Sequence, residues 1–240
     1  MRNLLSQIPL FADLEPAEID LLYRLVKSRV YPKAAMILQE DDPGDALFMI
    51  VSGRAKVVHL SEEGREIILD ILGQGDFFGE MALLDQEPRS ANVIAVEPIE
   101  LLVLERSAFL DQVEREPKIA IKMLIELSRR LRRADEKIQD LVLLDVYGRV
   151  ARTLLRLARL QGKPLEDGFI ITRRPTHQEL ADMVGASRET VSRVLADLTR
   201  RGVVRNSGRM LIIEKGEDML RRVRRGDESD RMKSGQGPAR

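Results

Sequence analysis

The sequence predicts an α+β chain: a strand-rich first half leads through one long helix into a smaller helical half closed by a hairpin. Three observations carry this reading. Between Arg29 and Leu104, short apolar runs alternate with glycine-containing turns. From Lys118 to Asp145, apolar residues recur at alternating spacings of three and four. After Thr176, a capping box, a glycine turn and an amphipathic helix follow in quick succession.

In the first half, Pro9 to Lys27 reads as short helices, with Pro16 in a first helical turn ahead of Ile19, Leu22 and Leu25. The runs Ala46 to Val51, Ala55 to Leu60, Ile67 to Leu72 and Leu101 to Leu104 read as strands. The turns Pro43-Gly44-Asp45, Ser52-Gly53, Glu63-Gly64 and Gly73-Gln74-Gly75-Asp76 lie between them. About eight such strands suit an antiparallel roll or barrel. Ser107 to Glu116 is a short helix that Pro117 ends.

The long helix carries Leu124, Leu127, Leu131, Ala134, Ile138 and Leu141 on one seam of about seven turns. A helix lying on its own domain buries a wider face, and here arginines and acids crowd the remaining sides. The seam therefore predicts pairing with a second copy, a homodimer. Asp145 suits the N-cap of a following helix, Val146 to Leu160, which makes Leu144, Asp145 and Val146 a hinge. Gln161 to Asp167 reads as a loop and Phe169 to Thr172 as a short strand.

Net charge is zero, but its halves differ. Residues 1–145 hold 18 Lys and Arg against 27 Asp and Glu, and residues 146–240 hold 21 against 12. The first half repels polyanions and the second attracts them, so nucleic acid or an acidic membrane would suit the second. No window approaches 18 consecutive apolar residues, and Met1 to Pro9 lacks the pattern of a signal peptide, so a cytoplasmic protein with no membrane partner is expected. Zero cysteines exclude disulfides and thiolate iron–sulfur clusters. His59 and His177 lie far apart in sequence, so no histidine metal or haem site is expected and both read as solvated side chains. No catalytic constellation of nucleophile and base, metal cluster or paired acids stands out, so an enzyme is not expected.

Two stretches carry chemistry. In Phe78-Gly79-Glu80-Met81-Ala82-Leu83-Leu84, Gly79 admits close backbone approach, and the N–H groups of the turn through Glu80, Met81 and Ala82 suit an anion. Arg89 offers a planar fork to a phosphate and Ser90 a hydroxyl. A carboxylate repels phosphate, so Glu80 makes sense on a neighbouring sugar hydroxyl, and the ligand reads as a nucleotide. A glycine turn followed by a surface Arg-Ser fits the same spacing.

The second stretch begins with Thr176-His177-Gln178-Glu179 and continues through Leu180 to Val184, Gly185 and Ser187. Counting about 100° per residue from Arg188 puts Glu189, Ser192 and Arg193 within about 140° of each other. Val191, Val194, Leu195 and Leu198 fall on the other side. A polar face, a preceding helix, a glycine turn and surrounding positive charge point to reading of double-stranded DNA. Val203-Val204 and Met210 to Ile213, joined across Asn206-Ser207-Gly208, form a wing hairpin.

Phe78 to Val93 resembles the phosphate-binding cassette of cyclic-nucleotide-binding domains, and residues 30–110 have the glycine spacing of that family's β-roll. The resemblance implies Glu80 on the 2'-hydroxyl and Arg89 with Ser90 on the cyclic phosphate. With Asp145-Val146-x-Gly148-Arg149-Val150-Ala151 and Val184-Gly185-Ala186-Ser187-Arg188-Glu189-Thr190-Val191 added, residues 1 to about 220 resemble the cyclic-AMP receptor protein/fumarate-nitrate regulator (CRP/FNR) family of bacterial transcription factors.

The resemblance implies a cyclic-nucleotide-binding β-roll over residues 1–116 and a dimerisation helix with hinge over 117–145. A winged helix-turn-helix over 146–225 and a disordered tail over 226–240 complete the expected division. It also implies RNA polymerase as a partner. Arg188, Glu189 and Arg193 become base readers at palindromic TGTGA-like half-sites, and Thr176, Gln178, Ser187 and Thr190 phosphate contacts. Absence of cysteine rules out the family's iron–sulfur oxygen sensors.

One departure bears on the effector. Where the cyclic-AMP-binding branch has Thr-Ser on the long helix to reach adenine, this chain has Ala134-Asp135. Ala134 cannot hydrogen-bond, whereas an ionised Asp135 accepts from an adenine amino group or from guanine N1 and N2. Cyclic AMP leads the order of expected effectors. Cyclic GMP and cyclic di-GMP follow, the latter with Arg132 and Arg133 meeting a second phosphate, and then a sensor that binds nothing. From a different class, a cyclic-nucleotide-binding regulatory subunit of a protein complex would have no use for the helix Ser187 to Leu198.

Overall fold

The computed structural model describes residues 5–6, 8–166 and 168–214. Two compact units divide between Arg133 and Ala134.

In the first unit a 3-10 turn, Pro9–Phe11, precedes helix α1, Pro16–Leu25, which starts at Pro16 and has a capping box formed by Glu15 and Glu18. Eight strands follow: β1 Lys27–Tyr31, β2 Met36–Leu38, β3 Ala46–Ser52, β4 Ala55–Leu60, β5 Glu66–Leu72, β6 Phe77–Phe78, β7 Asn92–Ala95 and β8 Ile99–Glu105. They form two antiparallel sheets with strand orders β1-β8-β3-β6 and β2-β7-β4-β5. Apart from the hairpin of β4 with β5, successive strands therefore sit in different sheets, the pattern of a roll. β3 is buried along nearly its whole length and pairs with β8 on one side and β6 on the other. Such a central strand needs apolar residues on both faces, which is why Ala46 to Val51 reads as an unbroken apolar run.

Helix α2, Glu80–Asp85, interrupts the strands, and α3, Arg106–Arg115, follows them. The long helix α4 runs Lys118–Leu143. On its first turns Ile119 and Met123 are buried, and Leu127 partly so, in a core shared with Phe11, Leu22, Leu47, Met49 and Phe109. Leu127 thus serves the first unit's own core. The other seam side chains face outward: Ala134 is exposed, and Leu124 is 63%, Leu131 65%, Ile138 59% and Leu141 57% exposed.

In the second unit, α5 spans Val146–Gln161, with the Asp145 side chain accepting from Gly148 N as its N-cap. Strands β9 Gly162–Leu165 and β10 Gly168–Ile171 form a hairpin and join β11 Val204–Ser207 and β12 Met210–Glu214 in the order β11-β12-β10-β9. This corrects the reading of residues 161–167 as a loop. Gly162 and Pro164 read as turn residues, yet as an edge strand β9 needs pairing on one side only, where proline is tolerated. Helices α6, His177–Val184, and α7, Arg188–Arg200, pack on α5 around Val150, Leu154, Ala158, Leu180, Val191, Leu195 and Leu198. The expected tail over 226–240 lies outside the described residues.

Candidate functional site

In the first unit, the residues singled out in the cassette come together. Gly79 takes φ 80° just before α2, a left-handed value that glycine adopts without strain. A Cβ there would stand 2.7 Å from Arg89 Nη1 and 3.1 Å from Ala46 O. Gly44 is equally confined, because a Cβ on it would meet Arg89 Nε at 2.1 Å. Two glycines on different loops thus make room for one guanidinium.

Arg89 is only 5% exposed. Its main chain is held by Asp41 N donating to Arg89 O and Arg89 N donating to Asp42 O, at 2.9 and 2.8 Å. Its side chain donates from Nη1 to Gly79 O at 2.8 Å and from Nη2 to Ala46 O at 3.2 Å, and lies over the Phe48 ring. Nε is buried with no hydrogen-bond partner among the described residues. Burial pulls the guanidinium below its ordinary pKa, Asp45 and then Glu80 opposing the shift, and it remains charged. A charged donor that is buried and incompletely satisfied is suited to an anion.

Glu80 is 4% exposed, and its partner was not foreseen: Arg130, on α4, donates from Nη1 to Glu80 Oε1 at 2.9 Å. Nη2 of Arg130 donates to Phe77 O, and its guanidinium lies 4.7 Å from the Phe77 ring centroid. Arg130 stands among a run of basic residues, Arg129, Arg130, Arg132 and Arg133, so composition does not single it out. Its offset of three from Leu127, which packs inward, was the available signal.

The remaining cassette residues are more open. Ser90 is exposed with Oγ 3.5 Å from Met81 Sδ, Met81 is 51% exposed, and Ala82 is buried. Arg106 Nε donates to Leu83 O at 2.8 Å, satisfying a carbonyl near the end of α2. Ala134 and Asp135 are exposed on α4, about one turn beyond Arg130 along the same helix.

In the second unit, Thr176 caps α6 by accepting from Glu179 N at 3.1 Å, and Glu179 returns a bond to Thr176 N. Gly185, with φ 65°, ends α6, and Ser187 caps α7 by accepting from Thr190 N at 3.2 Å. Arg188, Glu189 and Arg193 are exposed on α7, whereas Val191, Val194, Leu195 and Leu198 are buried, as the angular count predicts. Arg193 Nη2 donates to Thr190 Oγ1 at 3.2 Å, and Gln178 Nε2 to Asp182 Oδ1 at 2.8 Å. The exposed face is a helix N-terminus carrying two arginines and one carboxylate, a set suited to base edges and phosphates.

His177 corrects the expectation of a solvated side chain. Its Nδ1 lies 2.7 Å from Ser192 Oγ, its Nε2 lies 3.1 Å from Arg174 Nη2, and Arg174 Nη1 donates to Asn206 Oδ1 at 2.9 Å. The imidazole thus joins the recognition helix to the wing hairpin through Arg174. Burial, then the charges of Arg174 and Arg188, hold its pKa below the usual histidine value. His59 is also engaged, with Nδ1 2.7 Å from Glu40 Oε1. Among the described residues no group of acids and histidines is arranged to hold a metal ion, and no helix is long and apolar enough to cross a membrane.

A roll with a buried guanidinium beside a glutamate, together with a winged helix-turn-helix, defines a ligand-sensing regulator of transcription. Comparison with known proteins agrees. Residues 28–116 match the model of the cyclic nucleotide-binding domain, and residues 148–223 that of the Crp-like helix-turn-helix domain. The chain is 35% identical over 224 residues to the CRP-like cAMP-activated global transcriptional regulator of Mycobacterium tuberculosis, covering 93% of this chain and 100% of that one. It is 43% identical over 197 residues to the cyclic AMP receptor protein of Thermus thermophilus, covering 82% and 88%. Among solved structures it is similar to the c-di-GMP-responsive global regulator CLP of Xanthomonas campestris, with TM-score 0.70 and 27% identity over 83% of this chain and 99% of that one. The chain belongs to the CRP/FNR family and is a cyclic-nucleotide-responsive transcription regulator.

Proposed function

We propose that this chain is a homodimer whose affinity for palindromic DNA is set by cyclic AMP. The observation that carries the reading is Arg89: a buried, charged guanidinium with an unpaired Nε, confined between two glycines and close to Glu80. A cyclic phosphate supplies the acceptors that Arg89 lacks, and a ribose hydroxyl beside it donates to Glu80. The exposed side chains Leu124, Leu131, Ile138 and Leu141 support pairing through α4. Arg188 and Arg193 suit guanine edges and Glu189 suits cytosine N4, which supports TGTGA-like half-sites about one helical turn apart.

Control is a population shift. The effector binds one arrangement of the dimer better than another, and the favoured arrangement presents two recognition helices to successive major grooves, from which the dimer acts on RNA polymerase. A coupling of about 1 to 3 kcal/mol gives a 5- to 150-fold change in DNA affinity.

A second reading is favoured by the Ala134-Asp135 step and by the likeness to a c-di-GMP-responsive regulator: the effector is a cyclic dinucleotide, with guanine donors on Asp135. Isothermal titration of the full chain with cyclic AMP, cyclic GMP and cyclic di-GMP tests both. Heat with cyclic AMP that Arg89→Ala abolishes supports the first reading. Heat with cyclic di-GMP alone supports the second, and no heat with any of the three overturns both.

A further inference from the structure

The end of α4 carries a buried acid with no part in the functions above. Asp140 is 6% exposed, and its Oδ1 lies 3.2 Å from Arg152 Nη1 on α5. The guanidinium reaches in from the edge, since the Arg152 side chain is 39% exposed. Arg156, one turn further along α5, adds a second positive charge to the surroundings of Asp140, and Glu136 a negative one.

Further bonds converge on the same junction. Leu144 N donates to Asp140 O at 3.1 Å, and Gly148 N to Asp145 Oδ1 at 2.7 Å. Arg149 then spans two helix ends, donating from Nη1 to Leu144 O at 3.1 Å and from Nε to Val184 O at 2.9 Å. These carbonyls belong to the ends of α4 and α6, where the helix ladder leaves acceptors unused and a cation is favoured. Val184 immediately precedes Gly185, whose turn leads to the Ser187 cap of the recognition helix. A continuous set of bonds therefore runs from Asp140 through the junction to the start of α7.

Stability does not explain the acid. Burial raises the Asp140 carboxyl above the usual aspartate range, and Arg152 and Arg156 offset that only in part. An apolar or amide side chain at this position would avoid the desolvation of a carboxylate. What an ion pair adds over such a side chain is direction, because its geometry is satisfied in one placement of the helices.

We infer that Asp140 and Arg152 are positioning residues that latch α5, and with it the helix-turn-helix, in one orientation on the last turn of α4. The latch acts through Arg149, which reaches Leu144 O only in that orientation, while its bond to Val184 O ties α5 to α6. Its effect on regulation rests on the proposed control of DNA binding by a nucleotide; its effect on the junction does not.

The test compares full-length wild type with Asp140→Asn, Arg152→Gln, Arg152→Lys and the double Asp140→Asn/Arg152→Gln. Amide hydrogen exchange across residues 138–150 should rise roughly tenfold in Asp140→Asn and in Arg152→Gln, with peptides from α6 and α7 exchanging as in wild type. The ratio of DNA affinities with and without cyclic AMP should change by about fivefold or more in both. Arg152→Lys should restore both readouts, because an ammonium still pairs with the carboxylate. The double variant should be no worse than either single, since both remove the same contact. Unchanged exchange at the junction overturns the latch. So does exchange that rises equally through α6 and α7 together with a lowered melting temperature, which would mark Asp140 as an ordinary structural residue. Should wild-type DNA binding ignore cyclic AMP, the effector reading fails while the exchange data still decide the latch.

Discussion

Arg130 Nη1 lies 2.9 Å from Glu80 Oε1, so the long helix places a cation on the one buried carboxylate of the cassette. Glu80 is nearly inaccessible, and without that cation its charge would stand in a poorly solvated place. Arg130→Met is expected to destabilise the chain by about 3 kcal/mol in urea unfolding, and Glu80→Gln in the same background to recover most of it. Additive losses in this double-mutant cycle would mean that the two side chains are not coupled.

Gly79→Ala tests the confinement of Arg89. The new Cβ meets Arg89 Nη1 and forces a left-handed backbone on alanine. Cyclic AMP affinity should fall at least about tenfold, equivalent to about 1.4 kcal/mol, and calorimetry reads it directly.

His177 predicts a pH dependence. Its folded pKa is depressed, so its contribution to stability is present above the ordinary value of 6.5 and is lost as pH falls below that through the folded value. Chemical denaturation of the full chain between pH 7.5 and about 5 should show a slope that His177→Gln removes. An identical slope in that variant would assign the titration elsewhere.

On the DNA side, Arg188→Ala should cost about 1 to 3 kcal/mol and relax preference for guanine at one position of each half-site. Site selection with both proteins reads this. Selected sites with no guanine dependence for Arg188 to lose would remove it as a base reader.

Leu131→Asp places a charge on the exposed seam of α4, where Leu131 is 65% exposed. Sedimentation at micromolar concentration should give a dimer for wild type and a monomer for the variant. A monomeric wild type contradicts pairing through this helix.

Periodicity alone made much of the architecture legible. The apolar face of α7 and the caps at Asp145 and Thr176 are local features, and local spacing fixes them. The roll was legible as strands between glycine turns, while its strand order was not, because pairing such as β1 with β8 joins residues far apart in sequence. β9 is not legible in sequence, because its Gly and Pro resemble a turn until an edge is known to need only one partner.

In the sites, Gly79, Glu80 and Arg89 could be placed from the cassette. Arg130 and Gly44 could not, since each acts across an element boundary on a side chain remote in sequence. Nothing in the sequence marks the engagement of His177, because neither Arg174 nor Ser192 forms a recognisable motif with it.

The most direct measurement is fluorescence anisotropy of one palindromic duplex with TGTGA-like half-sites, titrated with wild type and with Arg89→Ala, each with and without cyclic AMP. The account predicts that cyclic AMP shifts the wild-type Kd by about 5- to 150-fold and leaves Arg89→Ala unmoved. Equal affinities with and without nucleotide in wild type, or a shift of the same size in Arg89→Ala, would contradict it.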